Sequence, residues 1–479
     1  MIALQTKNQH LMWRAGFGPS ASQLKQIQTI NTNDLYAALK KAAQKAPLPL
    51  DVADNYLKGL FIGAGEIGKM QKSLDADSRK RIREQHRDDI KSLNLKWLDE
   101  MVDSPSQLRE KMAFFWHDHF ASRNINIFYQ QQLLDIIRSN ALGSFRTLLH
   151  EVSKSAAIIF FLNAQQNKKD HPNENFAREV MELFTLGRGK YGEKDIKEAA
   201  RAFTGWGANA KGEFIFRRFQ HDKGNKTIFG KTGNFDGEAV LDMILDQEAT
   251  AFYITKKIYS FFVNENIDDE KCRMLSKRFF QSDYNISGLM DDIFTSNWFY
   301  EPKNMGTRIK SPIELLAGIQ RMLPMEMMEP ESLLVLQRIM GQVLFYPPNV
   351  AGWPGGKAWI DSSSLMFRLR VPHLMCDMDD LVFQPKTDDD QMMGMNTNQR
   401  KRQGKTGKKI RTTIDWDAFL KNFNGMNDND RLTALAGTLL QVELKTPKAL
   451  FEKYIQGDSS SKTKLAALHI MSLPEYQLC

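Results

Sequence analysis

The chain has 479 residues, of which 42% are hydrophobic and 25% are charged, and its formal net charge is +8. This composition is ordinary for a globular protein, and the length would usually form two or three domains. The longest apolar run, 156–162, is far shorter than the roughly 18 apolar residues of a membrane-spanning helix, so we expect no membrane span.

Helical periodicity dominates the chain. In chain order it predicts helices over 20–45, 75–103, 106–122, 125–139, 145–161, 175–186, 193–203, 249–263 and 311–323. Several of these begin at Ser, Asp or Asn, as is typical of helix N-caps, and Pro324 ends the last one.

Two segments depart from this pattern. Residues 212–237 contain short β-favouring runs separated by Gly, which predict a small β-hairpin. Residues 384–412 hold three consecutive Asp, several Met and a basic run, and we expect them to be a disordered insertion. The fold class is therefore mainly α: a multi-helix globular body over 1–383 with a β-hairpin insertion near 212–237, the basic insertion, and C-terminal helices over 413–479 that pack on the body.

The positive charge is concentrated in 401–411, and the rest of the chain is nearly balanced. Such runs are usually solvated, and no aromatic residues are interleaved with this one, so nucleic-acid binding is not expected.

Cysteine usage and the N-terminus bear on the compartment. Cys272, Cys376 and Cys479 are far apart and odd in number, which fits a reducing compartment rather than a disulfide framework. The first residues hold no apolar signal region and no twin-Arg pair, so we expect a cytoplasmic protein.

The first candidate site lies in the predicted helix over 106–122. His119 continues a stripe formed by Leu108, Met112 and Phe115, so it lies on a face that is otherwise buried. It is either an acid/base or ligand-binding histidine, or a core histidine hydrogen-bonded to a carbonyl oxygen. His117 is a candidate substrate-binding residue on a different face of the same helix.

The second candidate site is a polar stripe on the helix over 175–186. Asn175, Arg178, Glu179 and Glu182 share this stripe, and apolar residues occupy the rest of the helix. Two carboxylates at i and i+3 can hold a divalent metal or divide acid and base roles between them. The alternative is a plain surface stripe in which Arg178 pairs with Glu182 and Glu179 is solvated.

The third candidate site is the loop over 345–364. Its Pro and Gly residues fix the path of the backbone, and Trp353 and Trp359 would be costly to leave exposed. Aromatic faces beside Asn349 and Asp361 suit a sugar or another flat partner. The alternative is a loop that plugs the core, with Asp361 capping the next helix through Ser364.

Together these blocks resemble the domain-of-unknown-function-1800 family. The resemblance covers nearly the whole chain apart from the basic insertion. It rests on the blocks at 10–19, 116–120, 173–187, 204–206, 310–312, 347–356 and 472–477.

What the resemblance implies about function is limited. The family is bacterial and has no established activity, so no residue roles are carried over from it. Its members often look like partners of a sulfatase-like family, domain of unknown function 1501. Some members look exported through a twin-Arg signal, which this sequence lacks.

Two hypotheses about function follow. The first is an enzyme that performs acid/base hydrolysis or group transfer, with or without a metal, on a polar substrate such as a carbohydrate or an anion. His119, Glu179 and Glu182 would be catalytic, in one pocket roofed by the loop at 349–361. The second is a non-catalytic binding or assembly protein, whose partner is a sulfatase-like protein.

Overall fold

The computed structural model describes residues 2–55, 57–58, 75–209, 211–381, 408–447 and 457–479. The protein is mainly α-helical, as the periodicity predicted. Its helices in chain order are α1 (Leu4–Arg14), α2 (Thr32–Ala43), α3 (Ala76–Asp103), α4 (Gln107–His119), α5 (Ile127–Asn140), α6 (Phe145–Lys154), α7 (Ala156–Phe161), α8 (Asn175–Glu179), α9 (Glu193–Ala202), α10 (Gly237–Leu245), α11 (Glu248–Phe262), α12 (Asp269–Gln281), α13 (Ile286–Phe294), α14 (Pro312–Met322), α15 (Glu331–Ile339), α16 (Ser362–Met375), α17 (Trp416–Leu420), α18 (Asp428–Leu439) and α19 (Ser459–Met471).

Local side-chain chemistry sets many of the helix ends. The Asp75 carboxylate accepts a hydrogen bond from the backbone N–H of Ser78 at 2.6 Å and begins α3. Ser311 caps α14 in a capping box with Glu314. Capping side chains satisfy backbone N–H groups that have no partner inside the helix.

The single helix predicted over 20–45 is wrong. Two 3₁₀ turns, Ala21–Gln23 and Gln26–Gln28, precede α2. The side chain of Asn8 on α1 donates to the carbonyl oxygens of Ile27 and Ile30, both at 2.8 Å, so these carbonyls are bound by a side chain rather than by the backbone of a continuing helix. The helix predicted over 145–161 is likewise divided into α6 and α7 at Ser155, whose backbone is extended.

The strands form small antiparallel pairs. β1 (Trp206–Ala208) pairs with β2 (Phe214–Phe216), and β3 (Lys226–Ile228) pairs with β4 (Lys231–Gly233). The predicted hairpin region therefore holds two hairpins, and the first begins before residue 212. Farther along the chain, β5 (Met325–Met327) pairs with β8 (Thr412–Ile414), and β6 (Asp380–Leu381) pairs with β7 (Lys408–Lys409).

The predicted insertion over 384–412 lies mostly outside the described residues. Its described end, 408–412, contributes to β7 and β8, and the side chain of Ile410 between them is buried. Among the described residues, no helix is both long and apolar enough to cross a membrane.

One continuous apolar core includes residues from Leu11 to Tyr476. Helix α4 crosses this core, and all of its side chains except that of Asp118 are buried. The helices after residue 413 contribute Phe419, Leu435 and Ile470 to the same core. Because α4 has no solvent face, its charged side chains need partners inside the protein.

Buried ion pairs supply those partners. Glu110 accepts hydrogen bonds from Trp97, Arg109 and Arg138 at 2.9–3.0 Å. Lys111 pairs with Glu314 of α14, and both side chains are fully buried. Burial raises the pKa of Glu314, but Arg308 and Lys111 lower it more, so its pKa lies well below the ordinary range.

We predict that Glu314→Gln lowers the free energy of unfolding by about 3–5 kcal/mol, because it leaves Lys111 as a buried cation without a charged partner. Asp88→Asn removes the ion pair with Lys91, in which Asp88 is 64% exposed, and should cost no more than about 1 kcal/mol. Urea unfolding measured for both variants checks this. Equal losses would contradict the assignment of Lys111 and Glu314 as a tightly coupled pair.

Candidate functional site

The site begins at the last turn of α4, where three consecutive polar residues point in different directions. The ring of His117 is buried between Trp97 and Phe345, with centroids at 5.0 and 4.9 Å. Its Nε2 accepts a hydrogen bond from the backbone N–H of Phe345 at 3.2 Å. Burial lowers the pKa of His117 to about 3, so the ring is neutral.

His119 is also buried, as its stripe predicted. Its Nε2 lies 3.1 Å from the carbonyl oxygen of Phe184, and its Nδ1 lies 3.1 Å from Nζ of Lys257. Since a carbonyl oxygen only accepts, Nε2 carries the proton and Nδ1 presents a lone pair to Lys257. Burial and the positive charge of Lys257 lower the pKa of His119 well below its ordinary value.

Asp118 lies between these two histidines in sequence. It contacts the loop over 345–364, which we call the Trp353 loop. Its carboxylate accepts a hydrogen bond from the backbone N–H of Trp353 at 2.8 Å. A Cβ at Gly352, whose φ is +85°, would lie 2.3 Å from Oδ1 of Asp118, so this close approach requires glycine. Burial raises the pKa of Asp118 to about 6, although the Trp353 N–H and Lys257 oppose the rise.

Lys257 reaches the same place from α11. It is half-buried, and its Nζ lies 5.6 Å from the ring centroid of Tyr253, one helical turn earlier. Burial lowers the pKa of Lys257, and the negative charge of Asp118 partly offsets this. Asp118, His119 and Lys257 therefore form one polar cluster, which we call the α4–α11 cluster.

The helix predicted over 175–186 is one α-helical turn, α8, followed by a π-helix, Val180–Thr185. The wider turn leaves carbonyl oxygens available to neighbouring helices. The oxygen of Phe184 contacts His119, and that of Leu183 accepts from the Tyr253 hydroxyl at 3.2 Å. Gly187 (φ +76°) then ends the helix against the Tyr253 ring, where a Cβ would clash at 2.7 Å. π-Helical turns are frequent at functional sites.

Glu179 and Glu182 lie on the half-buried side of this π-helical segment. Glu182 accepts hydrogen bonds from Arg188 at 2.6 Å and from the Tyr191 hydroxyl at 3.0 Å, and the Arg188 contact lowers its pKa. Glu179 has no ion pair or hydrogen bond with another described residue. Burial and the charge of Glu182 raise the pKa of Glu179, so the two carboxyls have pKa values shifted in opposite directions.

The remaining residues of this stripe are committed to other contacts. Arg178 forms ion pairs with Glu174 at 3.1 Å and Glu193 at 2.8 Å, and the ion-pair partner of Glu182 is Arg188. The predicted pairing of Arg178 with Glu182 is therefore wrong. Asn175 donates to the carbonyl oxygen of Leu162 at 2.9 Å.

The loop residues divide between core and surface. The indoles of Trp353 and Trp359 are only 6% and 7% exposed, and Trp353 contacts the ring of His117 at 5.6 Å. Asn349 is exposed and accepts from the backbone N–H of Ala351 within its own turn. Asp361 caps α16 by accepting from the backbone N–H groups of Ser363 and Ser364, as the alternative hypothesis for this residue described.

Helix α4 thus contacts the π-helical segment through His119 and the Trp353 loop through His117 and Asp118. Sequence reasoning missed Asp118 and Lys257. The available signal for Lys257 was a lysine between Tyr253 and Phe261 at helical spacing on an otherwise apolar face. No group of three or more His, Cys, Asp or Glu in the described part of the chain has an arrangement that could hold a metal ion.

We predict that Asp118 lowers the stability of the protein as pH rises from about 4 to about 6. A carboxyl with a raised folded-state pKa binds its proton more tightly when folded, so folding loses stability as that proton leaves. Asp118→Asn keeps an oxygen for the Trp353 N–H and removes the titration. The melting temperature of the variant relative to that of the native chain should rise across this pH range. The rise corresponds to a relative gain in stability on the order of 2 kcal/mol. A difference that is constant with pH would contradict the burial of this carboxyl.

Comparisons with known proteins bear on the family of the chain. No curated protein and no solved structure matches it. A family model described as "Protein of unknown function (DUF1800)" matches residues 10–478, which include α4, the π-helical segment and the Trp353 loop. The chain therefore belongs to the domain-of-unknown-function-1800 family.

Proposed function

We propose that this protein is an enzyme, a hydrolase or transferase, that uses acid/base chemistry on a polar substrate. Glu179 and Glu182 are its proton-transferring groups. The ring of His119 contacts the carbonyl oxygen of Phe184, which lies on the same π-helical segment as Glu182. The first supporting observation is that His119 of α4 contacts the helical segment that carries both glutamates.

The observation that carries the proposal is the contrast between the two glutamates. Glu182 is held ionised by Arg188 and Tyr191, whereas Glu179 is half-buried without a hydrogen-bonding partner among the described residues. Two neighbouring carboxyls with oppositely shifted pKa values are the arrangement that lets one act as an acid while the other stays ionised. Glu179 is therefore the proposed general acid.

The charges around the glutamates indicate the kind of substrate. Two guanidinium groups, those of Arg178 and Arg188, form ion pairs in this region. They are outnumbered by four carboxylates, of which all but Glu179 take part in these pairs: Glu174, Glu179, Glu182 and Glu193. An anionic substrate would meet this net negative charge, so we favour an uncharged polar substrate such as a carbohydrate or an ester. The buried indoles of Trp353 and Trp359 leave little ring surface for a sugar to stack on.

We predict that Glu179→Gln lowers kcat/KM by about 100-fold or more, because a positioned general acid contributes that much to the rate. The assay is a panel of nitrophenyl glycosides and esters. Glu238→Gln, on α10 and 53% exposed, is the matched control and should keep the native rate. Equal rates for the native protein and both variants would contradict the assignment.

A divalent ion held by Glu179 and Glu182 is the metal-assisted form of the same proposal. It predicts that the panel activity is lost in EDTA and is restored by Mg²⁺ or Mn²⁺. Activity that is unchanged by EDTA would leave the two carboxyls as the acid and base themselves.

One observation favours a second candidate function, that of an assembly partner for a sulfatase-like protein. The hairpin around β2 exposes three apolar side chains close together in sequence: Ile215 at 37%, Phe216 at 38% and Phe219 at 93%. Exposed aromatic side chains are enriched at the energetic centres of protein interfaces. In this second proposal these side chains are the docking site for a protein with an apolar groove.

If the chain docks in this way, Phe219→Ser weakens the complex with the sulfatase-like protein at least tenfold, because truncating an interface aromatic typically costs more than 1 kcal/mol. Leu48→Ser, at a leucine that is 76% exposed elsewhere, is the control and should leave the Kd unchanged. Calorimetric titration measures both. A native chain that does not bind at all would contradict this second function.

A further inference from the structure

The α4–α11 cluster has the geometry of an activated nucleophile. Nζ of Lys257 lies 3.1 Å from Nδ1 of His119, and Nε2 of the same ring lies 3.1 Å from the carbonyl oxygen of Phe184. A nucleophile within hydrogen-bond reach of a base, which a third group orients, is the general signature of covalent catalysis. Here the nucleophile would be an amine.

Burial is the feature of Lys257 that favours the neutral amine over the ammonium, and the negative charge of Asp118 opposes it. Its side chain is half-buried beside the ring of Tyr253. His119 holds a lone pair toward Nζ because the Phe184 carbonyl fixes its tautomer. The neighbouring Lys256 also lies over an aromatic ring, that of Phe252 at 5.4 Å, but it forms an ion pair with Asp269 at 3.2 Å.

We propose that Lys257 is a nucleophilic lysine that forms an imine with the carbonyl carbon of an aldehyde or ketone. As a step in catalysis this rests on the proposed enzyme function, whereas imine formation itself does not. His119 is a positioning residue in this proposal, and Asp118 is the proton carrier.

The reaction balances without any further reagent. Nζ attacks the carbonyl carbon, a C–N bond forms, and the carbonyl oxygen takes up a proton to give a carbinolamine. The C–O bond then breaks and the oxygen leaves as water, so both hydrogens of the amine depart with it. The negative charge of Asp118 acts on Lys257, and in this proposal its carboxyl carries the protons from nitrogen to oxygen.

The chemical class of the ligand follows from reversibility. An acyl group transferred to Lys257 would become a stable amide and block the amine. An imine is hydrolysed by water and regenerates the lysine, so an aldehyde or ketone is compatible with turnover.

The test uses acetaldehyde with sodium cyanoborohydride, which reduces an imine to an N-ethyl amine. The folded full chain is treated with limiting reagent near neutral pH, and mass spectrometry measures the ethylation rate of each lysine. We expect Lys257 to react about tenfold or more faster than Lys256, since each unit by which the pKa falls raises the neutral fraction about tenfold. A rate for Lys257 no greater than that for Lys256 would overturn the proposal.

Two variants extend the test. Lys257→Met should lose the fast-reacting site and leave Lys256 unchanged. His119→Gln should lower the ratio of the ethylation rate of Lys257 to that of Lys256. Both lysines are measured in the same molecule, so a general loss of stability does not lower this ratio while circular dichroism shows the chain to be folded. If the ratio is unchanged in folded His119→Gln, the role of His119 is overturned, and the native comparison still decides that of Lys257.

Glu179→Gln separates this inference from the proposed function. The variant should keep fast ethylation of Lys257, because Glu179 has no contact with the amine in the described residues. Fast ethylation without any hydrolase or transferase activity would uphold the imine and remove the proposed function. Enzyme activity without fast ethylation of Lys257 would uphold the proposed function and overturn the imine.

Discussion

The structure depends on the burial of α4, whose side chains are all buried except that of Asp118. A helix without a solvent face must satisfy every charge it bears within the protein, because an unpaired buried charge costs several kcal/mol. Glu110 is tied to α3 by Trp97 and to α5 by Arg138, and Lys111 is tied to α14 by Glu314. A helix that slid by one residue would break all of these pairs, so the pairs fix the register of α4.

The same register determines which neighbours the candidate-site side chains of α4 contact. Consecutive residues in a helix point about 100° apart, so on a helix packed on all sides each one meets a different neighbour. His117 meets Phe345, Asp118 meets the backbone of Trp353, and His119 meets the π-helical segment. Two elements distant in sequence, the loop at 345–364 and the π-helical segment, are thus held against one helical turn.

The sequence predicted most of what is local. Periodicity located α3, α4, α5, α9, α11 and α14 to within a few residues, because each has a buried face and recognisable ends. It also predicted that the indoles of Trp353 and Trp359 would be buried. The helix over 20–45 could not be corrected from sequence, since Asn8, from another segment, occupies the carbonyls that would continue it.

The site was predicted less well because its decisive contacts are nonlocal. Lys257 and His119 are 138 residues apart, and no periodicity links them. The pairing of Arg178 with Glu182 followed from ideal α-helical spacing. The π-helix changes that spacing, and Gly187, with its positive φ, turns the chain so that Arg188 reaches Glu182 instead.

Glu179 differs from the fully buried carboxylates of the described residues in its lack of a partner. The fully buried carboxylates, Glu110 and Glu314, are each held by two or more donors. Glu179 is half-buried, lies three residues before a second carboxylate, and has no ion pair or hydrogen bond in the described residues. A stripe that served only stability would gain from a donor at this position, and Arg178, on the adjacent residue, forms its ion pairs with Glu174 and Glu193. An unpaired carboxyl in this setting costs stability, and a proton-transfer role is the function that would compensate for that cost.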